Sequence, residues 1–125
     1  EISVGNGAAS NLSGSGTTYT ATITPAADGQ VTIDVAANAA QDAGSNGNIV
    51  ASQFSVTNDQ TAPTVSITGP AGPVSGAFTA SFTFSEAVTG FALGDISVGN
   101  GSTSNLSGSG TTYTATITPT ADGQV

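Results

Sequence analysis

The sequence predicts an all-β chain: an antiparallel β-sandwich repeated in tandem with a 94-residue period. Three observations carry that expectation. Apolar and polar residues alternate with period two in one segment after another, the signature of half-buried strands. Those segments are separated by clusters of Gly, Ser and Asn, which supply turns. Residues 1–31 also recur, almost unchanged, as residues 95–125. The copies differ only at positions 1/95, 8/102, 9/103 and 26/120, so 27 of 31 positions agree at an offset of 94. Solenoid and propeller units repeat every ~20–50 residues, so this longer period suits a whole domain.

The elements follow in order. Asn6-Gly7 marks a tight turn, as does its repeat Asn100-Gly101. In Thr17–Thr24, Tyr19, Ala21 and Ile23 share one face and threonines the other, so the first set is expected in the core. Asp28-Gly29 is a hairpin-forming pair, and Asp122 repeats Asp28. Val31, Ile33 and Val35 then alternate with Thr32 and an outward Asp34, whose charge discourages edge pairing. Residues 36–43 are the only stretch that looks helical; the alanines allow one turn before Asp42 and Gly44 end it. Phe54 with Val56, and Val65 with Ile67, form two short strands. Phe78, Ala80, Phe82 and Phe84 make the strongest apolar stripe of the chain, and Ile96 with Val98 supply one more strand. Tyr113, Ala115 and Ile117 repeat the first stripe. All five phenylalanines (54, 78, 82, 84 and 91) fit inward positions or an adjacent turn, as core residues rather than a platform for sugars.

Between the apolar stretches, Asn58 to Thr64 is polar and contains Pro63, which reads as a domain edge. Residues 1–61 are therefore expected to be the later part of one module, and 62–125 the earlier part of the next. The first lacks an equivalent of 62–94, and the second an equivalent of 32–61.

Composition excludes whole classes of function. The chain has 8 acidic residues, no Lys, Arg or His, and no Cys, Met or Trp. A Ser-His-Asp or Cys-His triad, a Schiff base and a histidine metal site are all impossible within it. No cationic surface exists for a phosphate backbone, so no nucleic-acid partner is expected. No apolar run is long enough for membrane insertion. A carboxylate pair for glycoside hydrolysis needs a cleft, and no aromatic cleft is visible, so no enzyme activity is expected. Ser and Thr account for 36 of 125 residues, but 37% apolar residues argue for a folded chain.

Three segments carry a family resemblance: TAPTVSITGPAG, FTASFTFSEAVTGFALGDISVGNG, and TTYTATITPTADGQV, the last continued as in residues 32–48. Together they resemble the bacterial Ig-like modules repeated in large surface adhesins and biofilm-associated proteins. The most specific parts are FSEAVTGF, residues 84–91, and YTATITP followed by DG. The resemblance implies an Ig-like sandwich without the Cys-Trp-Cys signature. It also implies a secreted or cell-surface location and a role as a stalk or spacer in an adhesin or extracellular filament. Its partners would be neighbouring copies of the same module, with the receptor left open. Calcium at loops or junctions is a further implication. The family's Asp-x-x-Gly-Asn-x-Asn loop appears here as Asp42 to Asn48 with a serine inserted after Gly44.

Calcium takes hard oxygen ligands, and six residues are candidates to supply them. Asp42, Asn46 and Asn48 share one turn, Asp59 lies at the domain edge, and Glu86 and Asp95 flank the Phe84-to-Ile96 region. The competing reading is that Asp and Asn there bond their own backbone as turn residues. Two other functions stay open: a filament subunit that polymerises by strand exchange, and a ligand-binding accessory module using the loops 5–16 or 69–76.

Overall fold

Eight strands and one turn of 3-10 helix make up the computed structural model, which describes residues 1–125. The chain divides into two units, Glu1–Thr61 and Ala62–Val125.

The first unit contains β1 (Ile2–Gly5), β2 (Gly7–Ser15), β3 (Thr18–Pro25), β4 (Gly29–Val35) and β5 (Phe54–Asn58). Strands β1, β4 and β5 form an antiparallel sheet with β4 in the centre. Its register places Ile2 opposite Val35 and Val4 opposite Ile33. On the other edge Val31 faces Val56, and Ile33 faces Phe54. Directly opposed residues in an antiparallel pair project from the same face. All the apolar residues of this sheet therefore share one side. Strands β2 and β3 form a separate ribbon, with a register shift between Ser10 and Ser13. Asn11 sits in the shift at φ 55°, a left-handed conformation that asparagine tolerates.

In the second unit β6 (Val65–Thr68) and β7 (Phe78–Val88) precede the 3-10 turn Leu93–Asp95 and the long strand β8 (Gly101–Pro119). These strands form one antiparallel sheet in the order β6-β7-β8. Strand β8 folds back on itself near Gly110, which has φ 67°. The turn brings its ends together, and the Thr120 N–H donates to the Asn100 oxygen at 3.0 Å. The outgoing and returning arms thus repeat β2 and β3. The first copy closes with the same bond, from the Ala26 N–H to the Asn6 oxygen at 3.0 Å. Backbone angles match as well, at Asn6 and Asn100 (55° and 54°) and at Gly14 and Gly108 (126° and 123°). Near-identical sequence yields near-identical local structure.

Burial does not follow the repeat. In the second unit Ala80, Phe82, Tyr113, Ala115 and Ile117 form a buried cluster, with Phe78, Phe84, Phe91, Ile96 and Val98 packed against it. The register accounts for this: Phe82 faces Tyr113, Ala80 faces Ala115 and Phe78 faces Ile117 across β7 and β8. Phe84, Phe91 and Tyr113 meet edge to face with ring centres 5.2 to 5.9 Å apart, the favoured aromatic geometry. The Tyr113 hydroxyl finds the Val88 carbonyl at 3.2 Å.

In the first unit the only buried apolar residue is Val31. Tyr19, expected in the core, is 57% exposed, because no strand lies on the free side of β3 to cover it. Phe54 is on the expected face yet 58% exposed, although Val31 on the same face of the β1-β4-β5 sheet is buried. Residues 36–43 form hydrogen-bonded turns and an isolated bridge from Gln41 to Gly47, not a helical turn. Asn38 adopts φ 63° there, and its N–H donates to the Asn48 oxygen at 2.9 Å, which turns the chain back too tightly for a helix.

Candidate functional site

The acidic side chains are spread along the chain. No three His, Cys, Asp or Glu side chains gather where they could hold a metal. Asp42, Asn46 and Asn48 do share one loop, and the loop uses their polar atoms itself. Asp42 Oδ1 accepts the Gly44 and Asn46 backbone N–H groups, both at 2.9 Å. The Asn46 amide nitrogen adds bonds to both carboxylate oxygens, at 3.2 and 3.1 Å. Asn48 Oδ1 accepts the Ala40 N–H at 2.8 Å, while its amide nitrogen binds the Ala36 and Ile49 carbonyls. These bonds hold the Asp42 carboxyl below its usual pKa, the Asn46 backbone N–H contributing most.

The polar atoms of the three residues are thus engaged in the loop's own hydrogen bonds, the pattern of turn-forming Asp and Asn. Of the other candidates, Asp59 accepts the Thr61 N–H at 3.1 Å and Asp95 accepts the Ala92 N–H at 2.8 Å. Glu86 lies within the register shift between Thr83 and Val88. The expected result is equal melting temperatures in calcium chloride and in sodium chloride at matched ionic strength. A calcium-specific rise that Asp42→Ala abolishes would restore the metal reading.

Asp28 does more than turn a hairpin. Its Oδ1 accepts the Gln60 N–H at 2.7 Å, and its Oδ2 accepts the Thr61 hydroxyl. Asn6 and Asn58 both donate to the neighbouring Ala27 carbonyl at 2.9 Å. The start of β4 is thereby tied to the last residues of its unit. Sequence reading missed this latch, because Asp28-Gly29 signals only a turn and the partners lie 32 and 33 residues away. The Thr61 hydroxyl, then the Gln60 N–H, hold the Asp28 carboxyl below its usual pKa. A group whose folded pKa is depressed stabilises the fold above its unfolded pKa, and that contribution is lost as pH falls through the folded value. The Gln60 amide resonance is therefore expected to titrate below the ordinary aspartate range, and Asp28→Asn should remove that titration. A midpoint at the ordinary aspartate value would contradict the latch.

The second unit also carries an open groove with both polar and apolar lining. It encloses about 910 Å³, and its lining includes Ile67, Phe78, Phe82, Ile96, Val98 and Ile117. Val65 and Ile67 face Phe84 and Phe82 across β6 and β7, so they belong to the core side of that sheet. They nevertheless remain 52% and 69% exposed. The first unit shows the converse surface, an apolar face on β1-β4-β5 with Val56 52% exposed.

Antiparallel sheets with alternating apolar and polar faces are the architecture of an Ig-like sandwich. The bacterial Ig-like domain profile matches residues 1–57 and 59–125, and the chain belongs to that family. Bacterial Ig-like domains are structural modules, and the chain carries no catalytic motif. No curated protein and no solved structure matches it.

Proposed function

We propose that this chain is a spacer: part of a tandem array of Ig-like modules with a 94-residue period, in a secreted or cell-surface stalk, adhesin or filament. The carrying observation is that one chain holds two stretches of the family, 1–57 and 59–125, with 27 of 31 positions shared between residues 1–31 and 95–125. In this reading residues 1–61 are the later part of one module and 62–125 the earlier part of the next. Neighbouring modules of the same kind are the partners.

The physical chemistry suits the role. Threonine-rich outer faces are soluble, and the absence of cysteine removes any dependence on redox state. A net charge of −8 with no cation repels neighbouring fibres. Strand β7, with 11 residues at roughly 3.3 Å each, sets a module length of about 36 Å along its strands. The test is electron microscopy of the native protein. The expected image is a thin rod whose length grows by about one module length per 94-residue repeat in its sequence. A compact particle, or a native chain without further repeats, would overturn the proposal.

A further inference from the structure

We propose that the Asp28 latch sets the stiffness of the joint between one module and the next, a role that rests on the array reading. The linker is anchored on both sides by side-chain bonds. On the exit side β5 ends at Asn58. Beyond it the chain stays tied to the start of β4, through Asp28 Oδ1 to the Gln60 N–H at 2.7 Å and Oδ2 to the Thr61 hydroxyl. On the entry side, the Thr64 N–H donates to the Ser85 hydroxyl and the Thr64 carbonyl accepts the Ser85 N–H, both at 2.9 Å.

Only Ala62 and Pro63 remain between the two anchors. Neither is a soft joint. The proline ring fixes its own φ, and Ala62, as the residue before it, is steered to extended backbone. Without Asp28 the unanchored stretch would run from Asp59 to Pro63. The bond from the Thr61 N–H to Asp59 is local and ties that stretch to no strand. Tension along the chain therefore meets the Asp28 bonds before it reaches the β4–β5 ladder.

The carboxylate has its own support. The Ala27 carbonyl beside it accepts the Asn6 and Asn58 side-chain amides, both at 2.9 Å. The second unit rebuilds this base: Asn100 donates to the Ala121 carbonyl at 2.9 Å, and Gly123 after Asp122 has φ 130°, against 124° at Gly29. In an array, each module would carry the same latch.

An ionised carboxylate accepts both latch bonds, whereas protonation turns one oxygen into a donor. The Thr61 hydroxyl and then the Gln60 N–H lower the Asp28 pKa, so the latch is closed above that value and opens as pH falls through it. Asp59 is the other carboxylate bonded to this segment, and it takes the Thr61 N–H, not that of Gln60. Asp34 is engaged with Gln53, and Asp42 with its own loop. Glu1 precedes Ile2, which pairs with Val35 at the far end of β4. The chain has no Lys, Arg or His to offset the charge.

The test is backbone amide relaxation by NMR on the 125-residue chain, wild type beside Asp28→Ala at neutral pH. In the wild type, Gln60 and Thr61 are expected to show the order parameters of strand amides, about 0.85. In Asp28→Ala both should fall below about 0.6, while Val31 and Val56, paired across β4 and β5, keep theirs and report an intact fold. An acid titration of the wild type gives the same comparison without a substitution, and it decides the matter if Asp28→Ala unfolds the unit. Gln60 should loosen as Asp28 protonates, before Val31 or Val56 changes. Mobile Gln60 and Thr61 in the wild type, or order at Gln60 that survives the titration or a folded Asp28→Ala, would overturn the latch as a joint device. Loss of Gln60 and Val31 order in one step would overturn it as well. A native chain without further repeats would instead overturn the array and leave these amide measurements unchanged.

Discussion

Tyr113→Ala is expected to destabilise the second unit by about 3–5 kcal/mol, the range for removing a large buried aromatic side chain. In the 125-residue chain, where Tyr19 is exposed, Tyr19→Ala is expected to change the first unit by no more than about 0.5 kcal/mol. The two tyrosines occupy equivalent positions in identical octapeptides, TYTATITP, so no local propensity distinguishes them. Their surroundings do. Tyr113 is 8% exposed, faces Phe82 across the sheet, meets Phe84 and Phe91 edge to face, and donates its hydroxyl to Val88. Tyr19 is 57% exposed at the free edge of a two-stranded ribbon. Urea unfolding followed by circular dichroism, with both variants against wild type, measures the difference. Equal losses would mean that Tyr19 is covered in solution and that the first unit is better packed than its exposed face implies.

Gly108→Ala is expected to be comparably damaging for a different reason. Gly108 holds φ 123°, a conformation that side chains rarely adopt. A Cβ there would overlap the Thr112 carbonyl oxygen and lie 2.8 Å from Tyr113 Cα. Both obstacles are backbone in the returning arm of the hairpin, so neither can swing aside. Strain of about 1–3 kcal/mol and overpacking of similar size together predict a loss of about 2–6 kcal/mol. Gly110→Ala is the matched comparison. It also has positive φ, 67°, but open space around the added methyl, so only the left-handed penalty of about 1–2 kcal/mol applies. Thermal melts of the pair should rank Gly108→Ala well below Gly110→Ala. The reverse order would mean that the hairpin relaxes around residue 108.

The strands were legible in the sequence because period-two alternation is a local property. Phe78 to Ser85 declares both its conformation and its inner face, and Ala80 and Phe82 are indeed buried there. What alternation cannot declare is whether a second layer covers that face. Tyr19 and Phe54 show this, each on an apolar stripe and each more than half exposed. The Asp42 loop was legible as a turn, but its bond pattern depends on left-handed Asn38 and Ser45, which composition does not specify. The Asp28 latch was hidden for a simpler reason. Its partners lie beyond the reach of any short-range pattern.

The strand that β7 selects also has a bearing on how the chain reaches its fold. Strand β7 pairs with Thr112–Ile117, within a segment whose sequence is duplicated at Thr18–Pro25. Refolding from denaturant thus offers β7 two candidate partners with the same side chains, one close along the chain and one farther away. Loop closure favours the nearer, though only weakly, since its entropy changes with the logarithm of the separation. A fraction of molecules will start with the wrong hairpin and must unpair before they can proceed, the kind of misassembly typical of repeat proteins. Sequence identity that makes modules interchangeable in an array is, during refolding, a source of kinetic traps.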